Sequence, residues 1–249
     1  MGEPQLKPHL FKIFRDCNIV HAFSTRKGGY STGSFESLNL GLSTKDLNSN
    51  VEKNRMAFFH HLNLKSYNLA IPKQVHSDRV QAVYKAGIYL DTDALITNIP
   101  GVALTIQTAD CFPVFIYEPA QHACALVHSG WRGTAKNIVG LTINNLCEEF
   151  KCNPDKMLVA IGAGIQQHNY QVDLKTAQHF ESQYLTPDGK DHFKLNIQAN
   201  IINQLENAGV KHDNIEEDKR CTYDHIDLFY SYRRDGINSG RMMGIIRLL

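Results

Sequence analysis

Apolar positions along this chain follow two rhythms. Near-continuous apolar runs at 102–106 and 112–117, in VALTIQTADCFPVFIYEP, break around Asp110-Cys111. Short apolar runs bounded by polar residues read as buried strands. The run at 123–127 (ACALV), the acid-led DTDALITN and the glycine-ended KMLVAIGAGI read the same way. IVHAFSTRKGG begins as a short strand, breaks at Gly28-Gly29 and passes into a polar loop through Ser34. KQVHSDRVQAVYKAG sets Val75, Val80 and Val83 among polar residues, which predicts two short strands or one bent one. A helical rhythm appears over 50–62, with Val51, Met56, Phe59 and Leu62 as the predicted buried face. It returns from Thr134 to about Phe150, carried by Ile138, Leu141, Ile143 and Leu146. Helices are also predicted over 174–184 and 197–208, the latter closed by Gly209 at a C-cap position. The final DLFYSYRRDGINSGRMMGIIRLL predicts two strands around a glycine-rich loop.

Strands thus come both in clusters and in alternation with helices. That predicts an α+β fold of mixed β-sheets in more than one layer, with helices packed outside. No repeat of 20–50 residues and no low-complexity linker divides the chain, so residues 1–249 are expected to form a single domain. A GxGxxG after the first strand and a GxxxxGK[ST] are both missing, which removes the main support for the common nucleotide folds.

Hydrophobic residues make up 43% of the chain and charged residues 20%, which excludes a disordered polymer. With 26 basic and 25 acidic residues the net charge is +1. That balance gives no electrostatic case for nucleic acid or a membrane surface. Anion recognition must be local, and the expected partner is a small-molecule substrate. No apolar run reaches the roughly 18 residues of a membrane span. MGEPQLKPHLFKIF is too polar and proline-interrupted for a signal peptide, and Leu6 breaks a myristoylation pattern. A cytoplasmic location is expected. Six cysteines without a CxxC pair read as free thiols, mostly in the core.

His76, Cys111 and His128 fall at or just beyond the ends of three different predicted strands. Two imidazoles and a thiolate match the ligand set of a catalytic zinc site with an open fourth position. The same residues could instead form a Cys-His nucleophile pair. Polar residues with awkward backbone demands gather beside them: Asp110, Pro113, and the Trp131-Arg132 pair between Gly130 and Gly133. Arg26, before the Gly28-Gly29 pair, is a candidate for bidentate contact with a phosphate or carboxylate, against a plain surface turn. Arg132 has the same two readings, anion contact at a helix start or a structural salt bridge. Trp131 reads as core or pocket wall rather than a specific ligand stacker. Arg233-Arg234 sits beside Asp235 and reads as local pairing.

The motifs FSTRKGGYS, SLNLG, QVHSDRV, DALIT, TADCFPVFIYE, HSGWRGT and FYSYRRDGINSGR occur in the order found in the YfiH family, which the chain resembles over about residues 20–247. That family has been described as multicopper polyphenol oxidase, as purine nucleoside phosphorylase and as peptidoglycan editing factor. The resemblance implies a zinc ion on His76, Cys111 and His128, with Arg26 facing the phosphate of the substrate. It implies a fold similar to deamidase toxins of the cytotoxic necrotizing factor type. It also implies phosphorolysis of adenosine, inosine, guanosine and methylthioadenosine, and adenosine deamination. One stretch departs from the family pattern: GAGIQQHNYQV, residues 162–172, has Ala163 in place of a proline and Gln171 in place of an acid.

On this reading the substrates are a purine nucleoside and phosphate, the metal is zinc with copper as the alternative, and His76, Cys111, His128 and Arg26 carry the reaction. Asp110 is expected either to bind substrate or pass a proton to the base, or only to shape its turn. Three rival functions stay open. A zinc or cysteine hydrolase could edit a peptidoglycan precursor, and its turnover would not need phosphate. A copper-dependent polyphenol oxidase would want more histidine ligands than this motif set offers. A non-catalytic zinc-binding module would need a fourth protein ligand.

Overall fold

Every apolar run between residues 94 and 129 becomes a strand. In the computed structural model, which describes residues 6–249, the chain begins with β1 (Ile19–Phe23), α1 (Asn48–His61), β2 (Leu69–Pro72), β3 (Val80–Ala82) and β4 (Gly87–Tyr89). Then follow β5 (Ala94–Thr97), β6 (Ala103–Thr108), β7 (Phe112–Glu118), β8 (Ala123–Ser129), α2 (Trp131–Ala135), α3 (Ile138–Phe150) and β9 (Leu158–Ile161). The last part holds β10 (Gln171–Asp173), α4 (Leu174–Ala177), β11 (Leu185–Pro187), β12 (His192–Leu195), α5 (Ile197–Asn207), β13 (Ile215–Glu217), α6 (Tyr232–Asp235) and β14 (Met242–Leu248). Residues 1–5, which open the stretch read above for targeting patterns, lie outside the described residues.

The strands form a five-stranded sheet (β1-β14-β6-β2-β4), a six-stranded sheet (β13-β9-β7-β8-β5-β3) and a small sheet (β10-β12-β11). Both large sheets mix parallel and antiparallel pairs. The α+β architecture read from the pattern is the one observed.

Three apolar clusters explain the layering. Phe23, Leu104, Ile106 and Ile246 of the five-stranded sheet meet Leu95, Phe115, Tyr117 and Leu126 of the six-stranded sheet. On its other face the six-stranded sheet turns Val114, Ile116, Ala125 and Val127 toward Ile143 and Leu146 of α3 and Ile201 and Leu205 of α5. Alpha-helix α1 covers the outer face of the five-stranded sheet, packing Phe58 and Phe59 on Ala22, Ala103 and Ile245. Strands β7 and β8 are therefore sandwiched, and all seven residues of each are buried. A strand covered on both faces needs an unbroken apolar run, because neither side of its pleat meets water.

Several expectations need correction. The buried face of α1 is Val51, Asn54, Arg55, Phe58 and Phe59, whereas Met56 is 71% exposed. Five residues beyond Val51 is about 140° around the helix, which turns Met56 to water. Val75 is also exposed, in a loop where its N–H rather than its side chain is used. The helix expected over 174–184 stops at Ala177. Asp173 caps its start by accepting from Thr176 N, and the chain then leaves to build β11 and β12. Only one of the two terminal strands forms, β14. Phe229 and Tyr230 are fully buried without being a strand, and Ser231 turns the chain by capping α6.

The helix expected from Thr134 to Phe150 is broken at Asn137, which takes a left-handed φ of 60° between α2 and α3. Gly209 ends α5 with φ 95°, as expected of a C-cap glycine. All six cysteines are free thiols. No helix among the described residues is long and apolar enough to cross a membrane.

Candidate metal centre

Antiparallel pairing of β7 with β8 sets Pro113 opposite His128, so Cys111, just before β7, lies at the same end of the hairpin as His128. His76 arrives from the loop between β2 and β3. Its backbone takes φ 60°, and Asp110, preceding Cys111, takes φ 89°. Together His76, Cys111 and His128 offer two imidazole nitrogens and a sulfur within 4.8 Å of one another. The two rings stand edge to face, with centroids 4.8 Å apart. Three residues from different elements of the chain thus converge.

One buried carboxylate builds much of this geometry. Asp93 immediately precedes β5, and β5 pairs with β8 so that Ala94 faces Val127. Asp93 is fully buried and accepts from His128 Nδ1 at 2.8 Å through Oδ1. The same oxygen accepts from His76 N at 3.0 Å. Its Oδ2 accepts from Val75 N, Ser77 N and Ser77 Oγ at 3.2, 2.7 and 2.7 Å. A carboxylate on Nδ1 leaves Nε2 of His128 to face the cluster, the arrangement that orients a metal-bound histidine. The wrapped 75–77 loop holds His76 in its left-handed conformation.

Electrostatics follow from the same contacts. Burial would raise the Cys111 thiol, but the charges and hydrogen bonds of His128 and His76 outweigh it and bring the group down to about 6. Burial would lower His128, but Cys111 and Asp93 raise it to about 9. Cys111 is therefore a thiolate at neutral pH, the form that ligates metals or attacks carbonyls.

Gly130 is required here for space. A Cβ at this position would stand 2.8 Å from Cys111 Sγ and 3.3 Å from His76 Cδ2. Its φ of −90° is open to any residue, so the constraint is close approach alone.

The donor set fits a zinc-type ion: two imidazole nitrogens and a thiolate, with His76 exposed, Cys111 half-buried and His128 buried. Among the described residues no fourth His, Cys, Asp or Glu joins the group. The cluster is open on its His76 side.

The other candidates divide. Asp110 has both carboxylate oxygens engaged, Oδ1 by Thr222 Oγ1 at 2.7 Å and Oδ2 by Arg233 N at 2.6 Å, which ties the Cys111 turn to the carboxy-terminal segment. Arg26 donates from Nε to the Glu36 carbonyl at 2.7 Å and from Nη1 to the Ile226 carbonyl at 3.0 Å, and lies over the Tyr230 ring. Its hydrogen bonds go to those loops and not to the three clustered residues. Trp131 packs against the core, with Arg132 over its ring at 4.3 Å. Arg234 pairs with Asp235 as expected.

Arg233, expected to pair locally with Asp235, instead lies over Tyr170 at 4.9 Å and donates to the Gln171 carbonyl. Sequence reasoning passed over Tyr170 and Asp93. Burial raises the Tyr170 phenol, and the nearby charges of Arg233 and Arg132 act against it. The signal for Asp93 was the acid heading an otherwise apolar strand in DTDALITN.

The chain belongs to the family described as multi-copper polyphenol oxidoreductase laccase, whose model matches residues 20–249. A Bacteroides thetaiotaomicron protein named purine nucleoside phosphorylase is 32% identical, the match covering 93% of this chain and 92% of that one. Purine nucleoside phosphorylase YlmD of Bacillus subtilis is 30% identical, over 92% of this chain and 88% of its own. The crystal structure of YlmD from Geobacillus stearothermophilus superposes with a TM-score of 0.90 at 29% identity, covering 96% of this chain and 94% of that one.

Proposed function

We propose that this chain is a purine nucleoside phosphorylase working at the His76–Cys111–His128 centre, with zinc as its metal. The observation that carries the proposal is the convergence of these donors around a thiol held near 6, in a chain whose relatives bear that name. A zinc ion on these residues would supply Lewis-acid stabilisation of an anion in the open position. The chain supplies the rest. Asp93 accepts from His128 Nδ1, so that Nε2 is the nitrogen turned toward the metal. Phosphorolysis forms a bond from a phosphate oxygen to C1′ while the C1′–N9 pair leaves with the purine. Phosphate therefore has to be held against that carbon.

Arg26 is the family-matched candidate for that task. Its Nε and Nη1 already serve carbonyls, so an incoming phosphate would meet the Nη2 edge. Arg132 and Arg233 add positive charge beside Tyr170, whose neutral ring offers a stacking face for a purine. Asp110, held by Thr222 and Arg233, acts in this proposal through the position of Cys111.

A second reading has its own support: a thiolate beside a protonatable His128 is also the arrangement of a cysteine hydrolase. Phosphate dependence separates the two. Ribose 1-phosphate release from adenosine and inosine should require phosphate and fall roughly 100-fold or more in Cys111→Ala and His76→Ala. Full turnover by both variants would refute the site. Turnover without phosphate would replace phosphorolysis with hydrolysis, and ammonia release from adenosine would add deamination.

A further inference from the structure

A second group of metal-competent side chains lies outside this centre. His168, Cys221 and Asp224 bring an imidazole nitrogen, a thiol sulfur and a carboxylate oxygen within 4.8 Å of one another. Two segments supply them. His168 sits on the single turn Gln167–Asn169, inside the stretch 162–172 that departs from the family pattern. Cys221 and Asp224 come from a turn far along the chain. The segments are already stitched together by a Gly164–Cys221 bridge and by Thr222 N donating to the Gly164 carbonyl at 3.0 Å.

Cys221 is 2% exposed, and its sulfur accepts from Gln166 N at 3.3 Å and Asn169 Nδ2 at 3.5 Å. The Asn169 amide also donates to Asp224 Oδ1 at 2.6 Å, so one side chain orients two of the three donors. Such outer contacts are what fix metal ligands in place. His168 Nε2 lies 2.6 Å from Asp224 Oδ2, and both side chains face solvent.

We propose that His168, Cys221 and Asp224 form a second cation site, for a zinc-like divalent ion, that clips segment 162–172 to the 221–224 turn. A mixed nitrogen, sulfur and oxygen set selects borderline transition ions over calcium or magnesium. Three protein donors leave one position for water. Bonds of about 2.0 Å in a tetrahedral site hold N and O donors about 3.3 Å apart. The His168–Asp224 contact therefore opens by about 0.7 Å on loading, a small rotation for two exposed side chains. The clip bears on the first centre: Thr222, next to Cys221, donates to Asp110 Oδ1, and Asp110 precedes Cys111. Its role is positioning, and it stands independently of the reaction proposed above.

The test removes the first centre and looks for the second. The double variant Cys111→Ala/His76→Ala, stripped of metal, is titrated with cobalt(II) and followed by thiolate-to-cobalt charge-transfer absorption. The expected result is uptake of about one equivalent with that absorption, abolished when His168→Ala or Asp224→Ala is added. Both added substitutions are at exposed positions, so circular dichroism should be unchanged. Zinc should also raise the melting temperature of the double variant and not that of the triple variants. Absence of cobalt uptake by the double variant overturns the proposal, as does uptake that survives loss of both His168 and Asp224.

Discussion

Asp93→Asn is the sharpest probe of how this centre is built, because it keeps volume and removes only charge and one acceptor. Asp93 accepts five hydrogen bonds in a fully buried position, two at Oδ1 and three at Oδ2. An amide must put its NH2 on one side. On the Oδ2 side it would face the N–H groups of both Val75 and Ser77. The Oδ1 side is less costly, opposing only His76 N, but it forces His128 to move its proton to Nε2, straight at the ligand cluster. One buried N–H left facing a donor costs about 1–3 kcal/mol, and converting three remaining bonds from charged to neutral acceptors costs about 1 kcal/mol each.

With some relaxation the loss should be about 3–5 kcal/mol, and metal affinity should fall by roughly 10- to 100-fold because no carboxylate then accepts from Nδ1 and holds Nε2 toward the metal. Urea unfolding of the metal-free protein reads the first number, and competition with a chromophoric chelator reads the second. Stability within about 0.5 kcal/mol of wild type, together with unchanged affinity, would refute the assignment of Asp93 as the group that sets the His128 tautomer.

Other outcomes follow from the same contacts. Gly130→Ala puts a methyl 2.8 Å from Cys111 Sγ, so it should cost about 1–3 kcal/mol and weaken metal binding roughly tenfold by chelator competition. Burial holds His21 neutral, down to about 4, with its Nε2 accepting from Phe11 N. The unfolded chain takes that proton near 6.5, so the contribution is complete above that pH and is lost as pH falls from 6.5 toward 4. It amounts to up to about 3 kcal/mol. His21→Gln should flatten that part of the stability–pH curve in parallel denaturant titrations. Phe58→Ala should cost about 3–5 kcal/mol, whereas Met56→Ala should change stability by under about 0.5 kcal/mol. Comparable losses in both would contradict the orientation of α1.

Strands β5 to β8 were legible because they are covered on both faces, and a doubly buried strand leaves an apolar run that needs no partner to be noticed. Met56 was misassigned because α1 buries Asn54 and Arg55, polar residues that pin neighbouring loops: Asn54 reaches Tyr30 N and Ser31 Oγ, and Arg55 reaches the Leu40 carbonyl. A pattern of apolar letters is blind to such a face. The 174–184 helix failed for a different reason, since three short strands took over the chain around it, and the pairing of β10 with β12 joins residues about 20 positions apart.

The division at the site is similar. Residue chemistry alone established the donor types, two imidazoles and a thiol, and the motif order placed His76, Cys111 and His128 in one family pattern. Tertiary structure alone decided that a carboxylate 35 residues away holds His128, and that Arg233, 123 residues from Asp110, donates to its carboxylate. It also decided that the thiol is a thiolate, since the shift on Cys111 comes from two imidazoles that reach it only through the fold. Ligand identity is a property of single residues, whereas orientation, protonation and close approach depend on distances between segments that the chain order does not encode.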